Sequence, residues 1–390
     1  MSVFSHRKKV IVLGVHSFLD NHVKVGIQFI AEGLAKSGWQ VDYVSIFSSP
    51  LDVIGAHRRK RLRRVWFNRQ DKNGIAIAPG LTEYALRAPC PAHRHFLRYG
   101  WQEKFYDALA PDWLDNRLYD ACIHDVTANV LYLKWIHSKV TVLRLNDLPE
   151  GFNHSLSGHI IRCIQNNIRS NRYSEIWSAH EPLTRYARQL NSANRVFTIG
   201  NGVDDAFLNV RPKQSLNRKS AVFIGSIEKW IDLKLIDKTA EILRDWQFDI
   251  IGPLNRSWLV RSANMQWLPP IPRARVMRVL GEYQVGMIPF REVSGRLAYV
   301  EKPLKFFEYI AAGLGVASTN VGSLKSGIGD LASYGNYPKT FADAIIREAS
   351  RADNRSSQQC LEIIEPNSWS NVMNSITYRL EKMVVLSGRP

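Results

Sequence analysis

The sequence predicts an α/β protein made of two doubly wound domains, and three observations carry that reading. Short aliphatic runs alternate with helical patterns through the first half of the chain. The same rhythm restarts after one long polar stretch, 204–220. The 390 residues, 45% hydrophobic and 22% charged, are enough for two globular cores.

In the first half, KKVIVLGV (8–15) reads as a buried strand closed by a polar loop. GIQFIAEGLAKSG (26–38) follows as a helix, with Ile27, Ile30, Leu34 and Ala35 on one face and Gly38 as its stop. Further strand patterns are QVDYVSIF (40–47), GIAIAP (74–79), DACIHD (120–125), TVLRLND (141–147), EIWSA (175–179) and RVFTIGNG (195–202). Strands separated by helices imply a parallel sheet. Beyond the linker, SAVFIGSI (220–227), FDIIGP (248–253) and QVGMIPF (284–290) read as strands. Helices are expected near 232–244, 272–281 and 303–312. A last helix near 371–386 has no strand after it and is expected to cross back to the first domain. The expected boundaries are thus 1–203, 204–370 and 371–390, the two domains facing across a cleft. Open α/β sheets bind ligands at the carboxyl ends of their strands.

Composition excludes several classes. Cys90, Cys122, Cys163 and Cys360 form no CxxC pair and no metal-ligand spacing, which suits reduced thiols in a cytoplasmic protein. The apolar run after Arg7, Lys8 and Lys9 is only VIVLGV, a strand rather than a signal core, and no run is long enough to span a bilayer. The net charge is +17, with an excess of 27 Lys+Arg over 18 Asp+Glu in residues 1–205. Residues 54–104, with 12 basic and 3 acidic side chains, account for that excess. Its densest piece is HRRKRLRRVWFNR (57–69). One reading is a solvated loop. The other is docking on an anionic membrane, with Trp66 and Phe67 inserting and Phe96, Tyr99, Trp101 and Phe105 nearby in sequence. No nucleic-acid module or base-stacking motif accompanies the charge, so nucleic acid is not an expected partner.

The segment richest in chemistry is EKPLKFFEYIAAGLGVAST (301–319). Pro303 suits the first helical position, followed by Leu304. Lys305 and Glu308 then share a helix face. A helix N-terminus with a lysine beside it is a seat for phosphate, and a glutamate one turn on can accept hydrogen bonds from a ribose diol. Alone, the pair also fits an ordinary surface ion pair.

The pattern P-L-K-x-x-E-Y-x-A-x-G-x-x-V resembles the donor-binding helix of GT-B glycosyltransferases, two Rossmann-like domains facing across a cleft. The resemblance implies that Lys305 contacts phosphate and Glu308 the ribose. IGNGVD (199–204) is similar to the turn that closes the first domain, where Asn and Gly would permit positive φ. AVFIGSI (221–227), with Gly225 and Ser226, is similar to the first donor-domain strand and its loop, and GMIPF (286–290) to the strand leading to the sugar loop at Phe290. Within GT-B the chain most resembles the GumK-like glucuronosyltransferases of bacterial exopolysaccharide synthesis. Carrying this are His16 and Phe18 after the first strand, Gln28, Phe29 and Ile30 on the first helix, GNGVD, and the aspartate ending VLRLND. By that resemblance Asp147 is the general base of an inverting transfer, with His16 and Asp20 as fallbacks; otherwise it reads as a turn cap.

Two departures stand out. The retaining pattern of two glutamates seven residues apart would need an acid at Val300, and Glu301 is one residue late. Phe290 stands where the group has Tyr. Arg291 and Arg296 are candidates to bind a donor carboxylate, or else ordinary solvated loop cations. There is no D-x-D, so Lys305 and the helix end are expected to replace a metal, and no cofactor is expected beyond the UDP-sugar substrate. The resemblance implies a saccharide acceptor, lipid-linked, at the inner face of the plasma membrane. A sugar-nucleotide epimerase on the same fold is the alternative, and a basic nucleic-acid-binding protein fits less well.

Overall fold

The computed structural model describes residues 7–19, 24–53, 56–91, 93, 95–152, 156–208, 219–253, 262–293 and 296–388. Asp20 and most of the linker 204–220 lie outside them. The chain divides into one unit of residues 1–200 with 373–390, and a second of residues 201–372.

The first unit holds an eight-stranded sheet in the order β3-β4-β2-β1-β5-β6-β7-β8. Its strands are β1 (Lys9–Leu13), β2 (Gln40–Ser48), β3 (Ile75–Ala78), β4 (Leu81–Arg87), β5 (Leu118–Asp125), β6 (His137–Leu145), β7 (Glu175–Ser178) and β8 (Val196–Thr198). Val10 to Leu13 are fully buried, as a central parallel strand covered on both faces requires. The helix α1 (Gly26–Lys36) buries Ile27, Ile30, Ala31 and Leu34 and ends at Gly38, whose φ of +91° only glycine adopts readily. The expectation of an all-parallel sheet needs one correction. β3 runs antiparallel to β4 as a hairpin turning at Pro79 and Gly80, where Gly80 has φ +79°. β4 itself escaped the sequence reading because Glu83, fully buried, interrupts its apolar run.

The second unit holds a six-stranded sheet in the order β11-β10-β9-β12-β13-β14. These are β9 (Ser220–Ile224), β10 (Gln247–Ile251), β11 (Met265–Leu268), β12 (Val285–Ile288), β13 (Gly315–Ser318) and β14 (Ser333–Tyr334), all parallel. The order reverses between β9 and β12, and in the first sheet between β1 and β5. Those switch points are where open α/β sheets form ligand crevices.

The IGNGVD turn differs from expectation. Neither Gly200, Asn201 nor Gly202 has positive φ. Gly202 is needed for close approach instead, because a Cβ there would lie 2.6 Å from the Trp369 ring. The last helix runs Trp369–Ser387, and from residue 373 it belongs to the first unit. There its Arg379 reaches the buried Glu175 of β7 with two hydrogen bonds, 3.0 and 3.1 Å.

Candidate functional site

In the second unit, α7 (Arg273–Leu280) and α8 (Leu304–Ala311) face the switch point. α8 is fixed by Tyr309, whose hydroxyl accepts from the Ile224 amide of β9 (3.2 Å) and donates to the Met287 carbonyl of β12 (3.3 Å). Gly286 makes room for that ring, since a Cβ there would fall 2.2 Å from it. Pro303 proves to be the N-cap, with ψ 143°, and Leu304 the first helical residue, its side chain substantially exposed.

Lys305 then projects over the carboxyl end of β9. Its Nζ lies 5.2 Å from the Phe223 ring centroid and 5.7 Å from that of Phe290. A Cβ on Gly225, at φ +136°, would come within 3.2 Å of it. Gly225 and Gly252 cross so closely that a Cβ on Gly252 would overlap the Gly225 carbonyl at 2.0 Å. Small residues here therefore open the space that the lysine fills. Burial holds the Lys305 amine below its usual pKa, with Glu308 pulling the other way. Among the described residues Lys305 has no ion-pair partner. An ammonium desolvated beside two aromatic rings and lacking a carboxylate partner is a seat for an anion.

Glu308 is 7% exposed and is held by Arg273 Nη1, the first residue of α7, while the Arg273 guanidinium lies 4.9 Å from the Phe207 ring. The sequence reading placed Glu308 toward a diol but missed Arg273, which belongs to no motif. Ser226 donates to Glu228 (2.8 Å), and Gly225 N–H is spent on the Ile251 carbonyl (2.9 Å). Phe290 supplies a ring wall, and its carbonyl accepts from Thr319 Oγ1 (2.7 Å). Arg291 Nε donates to the Lys229 carbonyl (2.8 Å), a loop-fixing contact.

In the first unit, the loop after β1 is tied down from below. Tyr43 OH donates to the His16 carbonyl (2.7 Å), and Glu83 Oε2 accepts from the Phe18 amide (2.8 Å), leaving the His16 side chain exposed. The Asn129 amide nitrogen donates to the carbonyls of Gly14, Val44 and Ser45 (3.0, 3.2 and 3.2 Å), gathering the ends of β1 and β2. Gln28 is a capping residue, its Oε1 accepting from Val25 N. Asp147, two residues past β6, is half-buried, and its Oδ1 accepts from the next amide, Leu148 (2.9 Å). That contact to the adjacent amide orients the carboxylate.

Beside it lies a carboxylate that the sequence reading did not single out. Asp125, the last residue of β5, accepts from Val126 N (2.8 Å) and Asn146 Nδ2 (2.7 Å). Burial pushes its carboxyl up to about 6 against the pull of these donors and of Arg144, and Asp147 adds to the rise. Arg144, buried completely on β6, donates to the carbonyls of Trp177, Ile199 and Gly200 and so fastens the end of the first unit.

The two sheets share the GT-B fold seen in solved glycosyltransferases. Sucrose-phosphate synthase of Thermosynechococcus elongatus superposes with a TM-score of 0.68 at 12% identity, covering 97% of this chain and all of that one. Anabaena Alr3699/HepE in complex with UDP gives 0.64 at 12%, covering 96% and 100%. The lipopolysaccharide outer core galactosyltransferase WaaB gives 0.62 at 11%, covering 98% and 100%. Part of the first unit is similar to a known family. Residues 12–129 match the family model described as glucuronosyltransferase GumK, N-terminal domain. The putative teichuronic acid biosynthesis glycosyltransferase TuaH of Bacillus subtilis (strain 168) is 30% identical over 142 residues. That alignment spans 33% of this chain and 35% of the relative.

Proposed function

We propose that the protein is an inverting glycosyltransferase that moves a sugar, glucuronic acid, from a UDP-linked donor to a lipid-linked saccharide acceptor. The observation that carries the donor assignment is the desolvated, unpaired Lys305 at the β9/β12 switch point, one helical turn from Glu308. In this reading Lys305 and the first amides of α8 neutralise the departing diphosphate, which does the electrostatic work of a divalent metal. Glu308, aimed by Arg273, accepts from the ribose diol. Solved relatives of the same fold hold UDP or UDP-glucose, which supports a nucleotide-sugar donor. The GumK and TuaH names, glucuronosyltransferase and teichuronic acid biosynthesis, support a uronic sugar.

Asp147 is the base that takes the acceptor hydroxyl proton as the anomeric carbon is attacked. Asp125, held by Val126 N and Asn146 Nδ2 with its carboxyl pushed up to about 6 by burial, lies in the same neighbourhood.

Membrane docking falls to the basic segment, in a revised form. Residues Ala56–Leu62 form the helix α2, continued by a π-helical turn, Arg63–Phe67. Trp66 donates to the Ser48 carbonyl (3.2 Å) and stacks under Arg87, so it anchors the segment instead of inserting. Arg58, Arg59, Lys60 and Arg63 are exposed, as are Phe67, Tyr99, Trp101 and Phe105. No helix among the described residues is long and apolar enough to cross a membrane.

The decisive experiment is a donor screen that follows nucleotide release and product formation from UDP- and GDP-sugars, with membrane extract as the acceptor source. UDP-glucuronate-dependent labelling of a lipid-soluble product is the expected result. Nucleotide-sugar interconversion without acceptor would replace the transferase reading with the epimerase one. Flotation with liposomes should rise with anionic lipid content and fall when Arg58, Arg59, Lys60 and Arg63 are neutralised.

A further inference from the structure

A second constellation lies in the first unit, away from the residues named above, and its ligands come from two helices. His159 and Cys163 stand four residues apart on α4 (Gly158–Arg169), hence on one face. Glu103 is the first residue of α3 (Glu103–Asp107). Cys163 Sγ lies 3.6 Å from His159 Nε2 and 3.7 Å from Glu103 Oε1, and His159 Nε2 contacts the same carboxylate oxygen directly. These three ligand atoms all fall within 4.8 Å of one another, on half-buried side chains.

A tetrahedral Zn²⁺ with bonds of about 2.0–2.1 Å to nitrogen and oxygen and about 2.3 Å to sulfur separates its ligand atoms by roughly 3.3–3.6 Å. Two of the three edges, 3.6 and 3.7 Å, are close to that length. The third opens by rotation of the Glu103 carboxylate, whose other oxygen is held by Lys134 (3.4 Å), itself paired with Asp107 (2.8 Å). Thiolate, imidazole and carboxylate form a donor set that zinc accepts, and two negative ligands neutralise a divalent ion. With three protein ligands on half-buried side chains, the fourth position opens to water.

We propose that Glu103, His159 and Cys163 bind one Zn²⁺ ion, which ties the turn carrying exposed Tyr99, Trp101 and Phe105 to α4. The site is separate from phosphate neutralisation by Lys305. Cysteine spacing gave no sign of it, because only one ligand is a cysteine and the glutamate lies 56 residues upstream of His159.

The test uses the full chain, freed of metal by chelation and titrated with Zn²⁺ and, as a spectroscopic probe, Co²⁺. The expected result is one ion per chain, a higher thermal midpoint with Zn²⁺, and a thiolate-to-cobalt charge-transfer band with the visible bands of a tetrahedral ion. Cys163→Ser should abolish the charge-transfer band, and Glu103→Gln should weaken zinc at least tenfold. Cys90→Ser should change neither. Circular dichroism of the metal-free variants establishes that each is folded. Substoichiometric binding by the wild type, a cobalt spectrum without a thiolate band, or a folded Cys163→Ser that binds zinc as the wild type does would overturn the proposal.

Discussion

The switch points of the two sheets solve the same topological problem with opposite chemistry. At β9/β12 a half-buried cation lies beside aromatic rings, with Glu308 diverted to Arg273. At the end of β5 and β6 two carboxylates share a neighbourhood in which one, Asp125, is pushed up to about 6 by burial. In the proposed reading the first arrangement takes up an anion and the second a proton. Rossmann-like architecture thus supplies the place, and the residue types at the strand ends decide the chemistry.

The largest effect expected is on the proton-handling side. Asp147→Asn should lower turnover by about 10²–10⁴-fold while UDP still raises the thermal midpoint as in the wild type. A deeper loss in His16→Ala than in Asp147→Asn would move the base to the β1 loop. On the cationic side, Lys305→Ala should weaken UDP by roughly 10- to 150-fold, the worth of a charged hydrogen bond of about 1.5–3 kcal/mol, as read by calorimetry. Because burial lowers the Lys305 amine, UDP affinity in the wild type should also decline with rising pH earlier than an ordinary lysine would allow.

Two smaller effects sharpen the contrast. Arg273→Ala should cost UDP about tenfold, and 2′-deoxy-UDP much less, since only the former offers the full diol to Glu308. For Asp125, the folded carboxyl near 6 lies above the unfolded value of about 3.9, so folding favours its protonated form. Stability from that proton is complete below about pH 4 and is lost as pH rises through about 6, amounting to roughly 3 kcal/mol. Asp125→Asn should flatten the stability profile, measured by urea unfolding, across that window.

The two regions were unequally legible. α8 could be read because Lys305, Glu308, Tyr309 and the small residues after them sit within one short helix, where spacing alone sets the geometry. Most strands were legible for the same local reason, as continuous aliphatic runs. Arg273, Asp125 and Asn129 were not, because each acts through partners brought near by sheet order: Arg273 lies 35 residues from Glu308, and Asn129 is 115 from Gly14. Buried charge also misled. Glu83 hid β4, and the aromatic Trp66, read as a membrane anchor, faces inward to Ser48.

The bidentate pair between Arg379 and Glu175 has a practical consequence for anyone dividing the molecule. The first unit is not contiguous in sequence: it borrows residues 373–390, and Gly33 of α1 packs so tightly on Met373 that a Cβ there would collide at 2.6 Å. A fragment ending at residue 200 would keep the buried Glu175 carboxylate but lose Arg379, leaving Arg195 at 3.2 Å as its remaining cation. Such a fragment should be recovered in folded form only when the missing segment is supplied, either as a separate peptide or spliced to its front by circular permutation.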